Sequence, residues 1–442
     1  MRTWLEPKDV GMTNGRRLAR SDVPRPRAGC LTLEGSPGVS KPVFDPAGNT
    51  THRDDPYPLY KSLRDNDPVV WDPQLGAYVV SRFHTISAVM MDSETYSSHG
   101  SLGMSPERHE TEIQKILAKG DRLGTVIVEA DGETHARLHR IWSQFFHGPR
   151  INRRREAIQK LAGDFADKLA SKDQVDLVED FSRPFVLSVI SGLMMGLPEE
   201  DWERAYQQAV NSVVWATPWL PMETRLAAAT AHVEADPWYR DLWNKRKAAP
   251  MADDIPSLSV HLGEPYEEFI VSTRTIYTAA VDTTVGAITS GVLHLLQNGM
   301  WERAADDERF VANAVEETVR YTNPLRGLLR TTTRPVELDG VSIEAGKRIW
   351  LAYGSANRDE RKFPDADVFN PDRPSRQLKE HIGFGVGIHA CLGANLAHTE
   401  ARAAISALAA RFPDMRLATD FTPTYSSLIL WQVLTSLDVN TR

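Results

Sequence analysis

The sequence predicts one large domain, mainly α with small β-sheets. Three observations carry this: long stretches with helical apolar spacing, short β-rich runs confined to a few places, and no Pro/Gly/Ser linker dividing the globular part. A chain of 442 residues is long enough to bury several cores, and 41% apolar with 25% charged residues is ordinary globular composition. Residues 1–44, rich in Arg, Pro, Gly and Ser with little periodicity, read as a flexible extension, which leaves 45–442 as the domain.

In chain order, "DPYPLYKSLRDNDPVVW" predicts a helix around Pro58 to Arg64 and then apolar strands at Val69 to Trp71 and Ala77 to Val80. Helical periodicity follows at Asn152 to Ala170, Pro184 to Met195 and Thr224 to Ala235, then at Glu267 to Gln297 and Asn313 to Tyr321. Pro237 marks a fresh helix start, so Trp238 to Lys247 is read as a separate helix. Between Arg330 and Leu351 the texture turns β-rich, and a second helical segment begins at Leu392.

Composition narrows the function. Two cysteines, Cys30 and Cys391, cannot build a disulfide framework, which points to a reducing cytoplasm. The N-terminus lacks the apolar core of a signal peptide, and no run of about 18 apolar residues is evident, so no membrane span is expected. A formal charge of −8 argues against nucleic acid, whose phosphates call for a basic footprint. Small molecules or protein partners are the expected ligands.

The chemistry gathers in "GFGVGIHACLGANLA", which sets Cys391 among glycines and one histidine. Structural zinc and iron–sulfur sites need more soft ligands than this chain has, and the Cys-x-x-Cys-His of attached haem is absent. A nucleophilic cysteine paired with His389 is the rival reading, although near neighbours in a loop rarely meet as acid and base. A single axial thiolate to haem iron fits better. Gly385 and Gly387 permit a tight turn, Gly393 keeps the approach to the porphyrin open, and the helix beginning near Leu392 directs its positive end at the sulfur.

The pattern Phe384-x-x-Gly387-x-His389-x-Cys391-x-Gly393 resembles the signature loop of the haem-thiolate monooxygenases, the cytochrome P450 family. The resemblance covers nearly everything from Asp55 onward. It implies the cytochrome P450 fold and haem b (iron protoporphyrin IX), with Cys391 as proximal iron ligand, His389 at a haem propionate and Phe384 beside the sulfur. "VEETVRYTNP" places Glu317 and Arg320 on one helical face. The resemblance implies that this pair is buried and completed by Arg373 of "FNPDRP", and that Arg330 meets a propionate. His135 matches another propionate residue. The Arg usual four residues later is here His139, with Arg137 and Arg140 as candidates to replace it.

In "TIYTAAVDTTVGAI" the acid–alcohol pair Asp282 and Thr283 is suited to proton delivery, because reducing dioxygen in an apolar pocket needs protons that the pocket cannot supply. The plain alternative is a back-bonded or exposed pair. Ala280 stands where the family usually has Gly, and its methyl narrows the helix groove.

Several stretches, among them "ETYSSHGS" and "LAYGSANRDERKF", look similar to bacterial members that oxidise or O-demethylate para-substituted benzoates. That likeness implies a carboxylate grip by His99, Ser101, Arg274 and Thr275. Trp215 and Trp219 form either an aromatic lid or core packing. The expected function is oxygen insertion into a small organic substrate by a monomer, with NAD(P)H electrons from a separate ferredoxin and ferredoxin reductase. Arg137, Arg140, Arg361 and Lys362 are the basic residues expected to face the ferredoxin. The alternatives are tailoring of a terpenoid or polyketide, and a haem-thiolate protein that does not activate oxygen. A protein of the last kind has little use for Asp282 and Thr283.

Overall fold

The structure is a computed structural model that describes residues 43–442 except 47, 104–108, 218, 219 and 429. Most of the expected N-terminal extension, Cys30 included, lies outside the described residues. Its last two residues belong to the packed body. The Val43 and Phe44 N–H groups donate to Asp72 Oδ2 at 2.9 and 2.8 Å, and the buried Phe44 ring packs on Tyr60. The domain therefore begins at or before Val43, because one buried carboxylate anchors this backbone.

The principal helices are α1 (Tyr57–Asn66), α2 (Gly132–Phe146), α3 (Gly148–Lys168), α4 (Trp202–Ala216), α5 (Met222–Glu234), α6 (Asp236–Ala248), α7 (Tyr266–Gln297), α8 (Glu308–Tyr321) and α9 (Ala394–Arg411). Pro237 stands in the first turn of α6, where its missing N–H has no partner to lose. Asp307 caps α8 by accepting from the Phe310 N–H at 2.8 Å. The expected helix from Pro184 to Met195 is instead one α turn, Arg183–Leu187, between two wide turns at Val178–Ser182 and Ser188–Met194. Their bonds reach five residues back, as from the Ser182 N–H to Leu177 O and the Met195 N–H to Ile190 O. Helices α2 and α4 were not expected from periodicity.

The strands are β1 (Val69–Asp72), β2 (Ala77–Val80), β3 (Tyr96–Ser97), β4 (Gln174–Asp176), β5 (Gly327–Thr332), β6 (Val336–Leu338), β7 (Val341–Ile343), β8 (Arg348–Ala352), β9 (Arg416–Leu417) and β10 (Asp438–Asn440). A five-stranded sheet runs β1-β2-β8-β5-β3, parallel only between β2 and β8. A three-stranded sheet runs β4-β10-β9, and β6 and β7 form a hairpin.

Helix α7 runs through the core and packs on α4, α8 and α9. By length and hydropathy it could cross a membrane, contrary to expectation, yet 72% of its most apolar stretch is buried inside the protein. Its apolar surface is therefore spent on the core. Asn298 ends it, and Gly299, at φ 63°, turns the chain away.

Candidate active site

A cavity of about 300 Å³ lies between α7 and the loop that carries Cys391. The loop closes on itself through the Cys391 N–H, which donates to Phe384 O at 2.7 Å. Gly385 and Gly387 have φ of 71° and 75°, and a Cβ on Gly387 would fall 2.8 Å from Met90 O, so the turn requires glycine there. Gly393, at φ −80°, is required neither by backbone conformation nor by space, since a Cβ there would make only ordinary contact, 3.9 Å from the Cys391 sulfur.

Helix α9 starts at Ala394 rather than Leu392, and the N–H groups of Gly393 and Ala394 bond the sulfur. Cys391 is surrounded by protein atoms but exposed to the cavity that it lines. Burial pushes its thiol above the usual range, while the two N–H groups favour the thiolate.

One side of the cavity is cationic or titratable. Arg330 is buried on β5, and Leu328, two residues earlier on the same strand face, lines the cavity with it. Arg330 Nη1 donates to Leu329 O at 2.8 Å. The His389 ring centre lies 4.4 Å from that of His135, and His389 Nε2 is 2.8 Å from Ser98 Oγ. Burial, Arg330 and His135 bring the His389 pKa down to about 3, so its ring is neutral. Burial and then His139 lower that of His135.

His139 lines the cavity, and the expected substitutes do not. Arg137 makes two bonds to Glu268, and Arg140 is exposed. The group Arg330, His135, His139 and His389 suits two carboxylates at one edge of a flat ligand. With the soft sulfur of Cys391 lining the same cavity, the residues present fit a haem.

Behind the loop, Glu317 and Arg320 are fully buried and joined by two bonds of 2.7 Å. Arg373 Nε donates to Glu317 Oε1 at 3.0 Å. Both guanidinium groups also donate to backbone carbonyls, Arg320 to Asn357 O and Ala366 O and Arg373 to Pro364 O and Asp365 O. Phe384 lines the cavity and packs on His398, ring centres 4.7 Å apart.

Opposite the loop, Thr275, Ala279 and Thr283 recur every fourth residue and form the cavity stripe of α7, joined by Ala280. The Thr283 hydroxyl donates to Ala279 O. Asp282 does not line the cavity. One residue is about 100° of helix rotation, which turns its carboxylate to Tyr206 on α4, 2.6 Å away. Burial raises the Asp282 pKa against the pull of Tyr206 and Arg183.

The expected carboxylate grip is not assembled. His99 is exposed; Ser101 is buried and donates to Val128 O; neither lines the cavity. Arg274 is buried against Asp236 and does not line the cavity. Of the four, Thr275 alone lines the cavity, its hydroxyl back-bonded to Val271 O. Among the described lining residues, the one guanidinium is Arg330 and the one carboxylate is Glu400, which burial raises well above the usual range.

Trp215 is 2% exposed between the His109 and His232 rings, so it is core packing, and Trp219 lies outside the described residues. Of the expected ferredoxin-facing residues, three are already paired: Arg137 with Glu268, Arg361 with Asp65 and Asp359, and Lys362 with Glu380. Tyr206 and Arg183, which flank Asp282, were not singled out from sequence. Tyr206 is 76 residues away, and no local pattern marks it.

Residues 265–418 match the family model for Cytochrome P450. Cytochrome P450 107B1 of Saccharopolyspora erythraea is 31% identical over 357 residues, 78% of this chain and 84% of that protein. The polyketide biosynthesis cytochrome P450 PksS of Bacillus subtilis is 29% identical over 396 residues, 86% of this chain and 94% of that protein. The solved P450 heme domain of Tepidiphilus thermophilus superposes with a TM-score of 0.82 at 26% identity, covering 90% of this chain and 96% of that one.

Proposed function

This chain belongs to the cytochrome P450 family, a haem b monooxygenase by that membership, and we propose that it inserts one oxygen atom of O2 into a small, largely apolar organic molecule. The observation that carries this reading is that Cys391 and Thr283 line one and the same cavity, whose lining is mostly apolar and includes several threonines. When bound, the haem supplies the iron at which dioxygen is activated.

The chain's own residues divide the remaining work. Cys391 would hold the iron through its thiolate, steadied by the N–H groups of Gly393 and Ala394. Arg330, His135, His139 and His389 would hold the propionates. Leu328, Val213 and Trp431 exclude water and orient an apolar substrate body. Thr283 orders the proton donor at the cavity wall, with Asp282 behind it. The protein works in the cytoplasm as a monomer, and electrons reach it from NAD(P)H through a separate ferredoxin and its reductase.

An aromatic acid remains a substrate only if its carboxylate is held without Arg274. The apolar wall and the likeness to a relative named for polyketide biosynthesis favour an uncharged substrate such as a polyketide or terpenoid. The test is the difference spectrum of the reduced protein with carbon monoxide. A strongly red-shifted Soret band is expected, to be lost in Cys391→Ala. Its persistence in that variant would overturn the ligand assignment.

A further inference from the structure

Asp282 is the one acid of α7 at the level of the cavity stripe, yet it is held away from the cavity. Helix α4 brings the nearly fully buried Tyr206 against it, with the hydroxyl 2.6 Å from Asp282 Oδ1. From the segment before α4, Arg183 acts on both groups and is bonded to Glu179, whose side chain is 49% exposed. Glu203 is the remaining charged group facing Tyr206. A polar row thus runs from solvent at Glu179, past Arg183, to the Tyr206–Asp282 pair, and the residue after Asp282 is the cavity's Thr283.

A carboxyl this deep is costly unless it is bonded. Burial and Asp282 itself push the Tyr206 phenol well above its usual range, so it stays a donor at neutral pH. Asp282 Oδ1 therefore accepts from Tyr206, and any proton the acid carries sits on Oδ2, free to leave.

Resting on the monooxygenase reading above, we propose that Tyr206 is a positioning residue that holds the Asp282 carboxyl and, through it, sets proton delivery to the cavity at Thr283. In the step the Oδ2–H bond breaks and the proton passes to water ordered at the Thr283 hydroxyl. The carboxylate then regains a proton from solvent along the Glu179–Arg183 row. No electrons are exchanged.

Tyr206→Phe tests this, because it keeps the ring and removes the donor. The first readout is the infrared carbonyl band of protonated Asp282 in the purified holoenzyme, identified by its absence in Asp282→Asn. A donor to the charged form lowers a carboxyl pKa, so removing it should move the band's titration midpoint upward by about one pH unit. The second readout is the solvent isotope effect on NAD(P)H oxidation by the substrate-free holoenzyme with a surrogate ferredoxin and reductase. It should change in Tyr206→Phe, and Tyr206→Phe should add nothing in an Asp282→Asn background. An unmoved midpoint, or an effect of Tyr206→Phe that persists in Asp282→Asn, overturns the proposal. Failure of the monooxygenase reading shows separately, as no red-shifted carbonyl band.

Discussion

Arg274 Nη2 lies 2.7 Å from Asp236 Oδ1, and both side chains are almost fully buried. The same guanidinium donates to His232 O at 2.8 Å and contacts His232 Nε2 at 3.0 Å. An arginine only donates, so His232 Nε2 accepts and its Nδ1–H points to Ser212 Oγ, 3.0 Å away. Burial and Arg274 together hold the His232 pKa well below its usual value, which suits this neutral ring. Asp236 Oδ2 in turn accepts from the Asp121 N–H at 2.7 Å. The cluster fastens α7 to the α5–α6 corner and to the loop at Asp121.

Arg274→Ala should therefore act on stability and leave ligand choice alone. It strands Asp236 in the interior, at a cost of about 3–5 kcal/mol measured by denaturant titration. The affinity ratio between a para-substituted benzoate and its amide, read from haem spin-state titration, should not change. Normal stability with selective loss of the acid would restore Arg274 as a carboxylate ligand.

The two glycines flanking Cys391 should differ in their tolerance of alanine. Gly387→Ala forces a side chain into positive φ against Met90 O and should destabilise the loop by about 1–3 kcal/mol, seen as faster haem loss. Gly393→Ala meets no such backbone strain. Its methyl would only touch the sulfur, at an ordinary 3.9 Å, so haem loss should stay at the wild-type rate and any change should appear in the Soret band of the carbonyl complex.

Thr283→Ala should keep haem and substrate binding while diverting reducing equivalents to peroxide, as product per NAD(P)H consumed would report. A roughly ten- to hundredfold loss of coupled product formation is in the range expected for removing one proton-transfer element. Equal coupling in wild type and variant would remove the alcohol from the mechanism.

His294 gives the stability a pH dependence that can be assigned. It is fully buried beside Tyr321 and Phe369, with Nε2 2.8 Å from Thr322 Oγ1, and burial followed by Arg358 brings its pKa down to about 3. The unfolded chain takes up this proton near pH 6.5, so the folded state is at full strength above that value. Stability should fall as pH drops from about 6.5 towards 3, at roughly 1.4 kcal/mol per unit for this one group. His294→Gln should recover roughly 2 kcal/mol of the wild-type loss between pH 6.5 and 5, by denaturant titration at each pH. Parallel curves for the two proteins would refute the assignment.

Where a local geometry depends on residues close together in the chain, the sequence alone was sufficient. The spacing of glycines around Cys391, the Glu317–Arg320 pair three residues apart, and the helical repeat of α7 are local facts. Backbone geometry turns each into a loop, an ion pair or a stripe without outside help. Tertiary structure decided what depends on rotation about a helix and on partners far away in sequence. Arg274 and Thr275 are neighbours, as are Asp282 and Thr283, and in each pair about 100° of turn sends one side chain to the cavity and the other to a distant element. Asp236 and Tyr206 lie 38 and 76 residues from the groups they hold. Only the packing of α4 and α6 on α7 brings them there, because a buried charge or carboxyl must find its partner wherever the fold provides one.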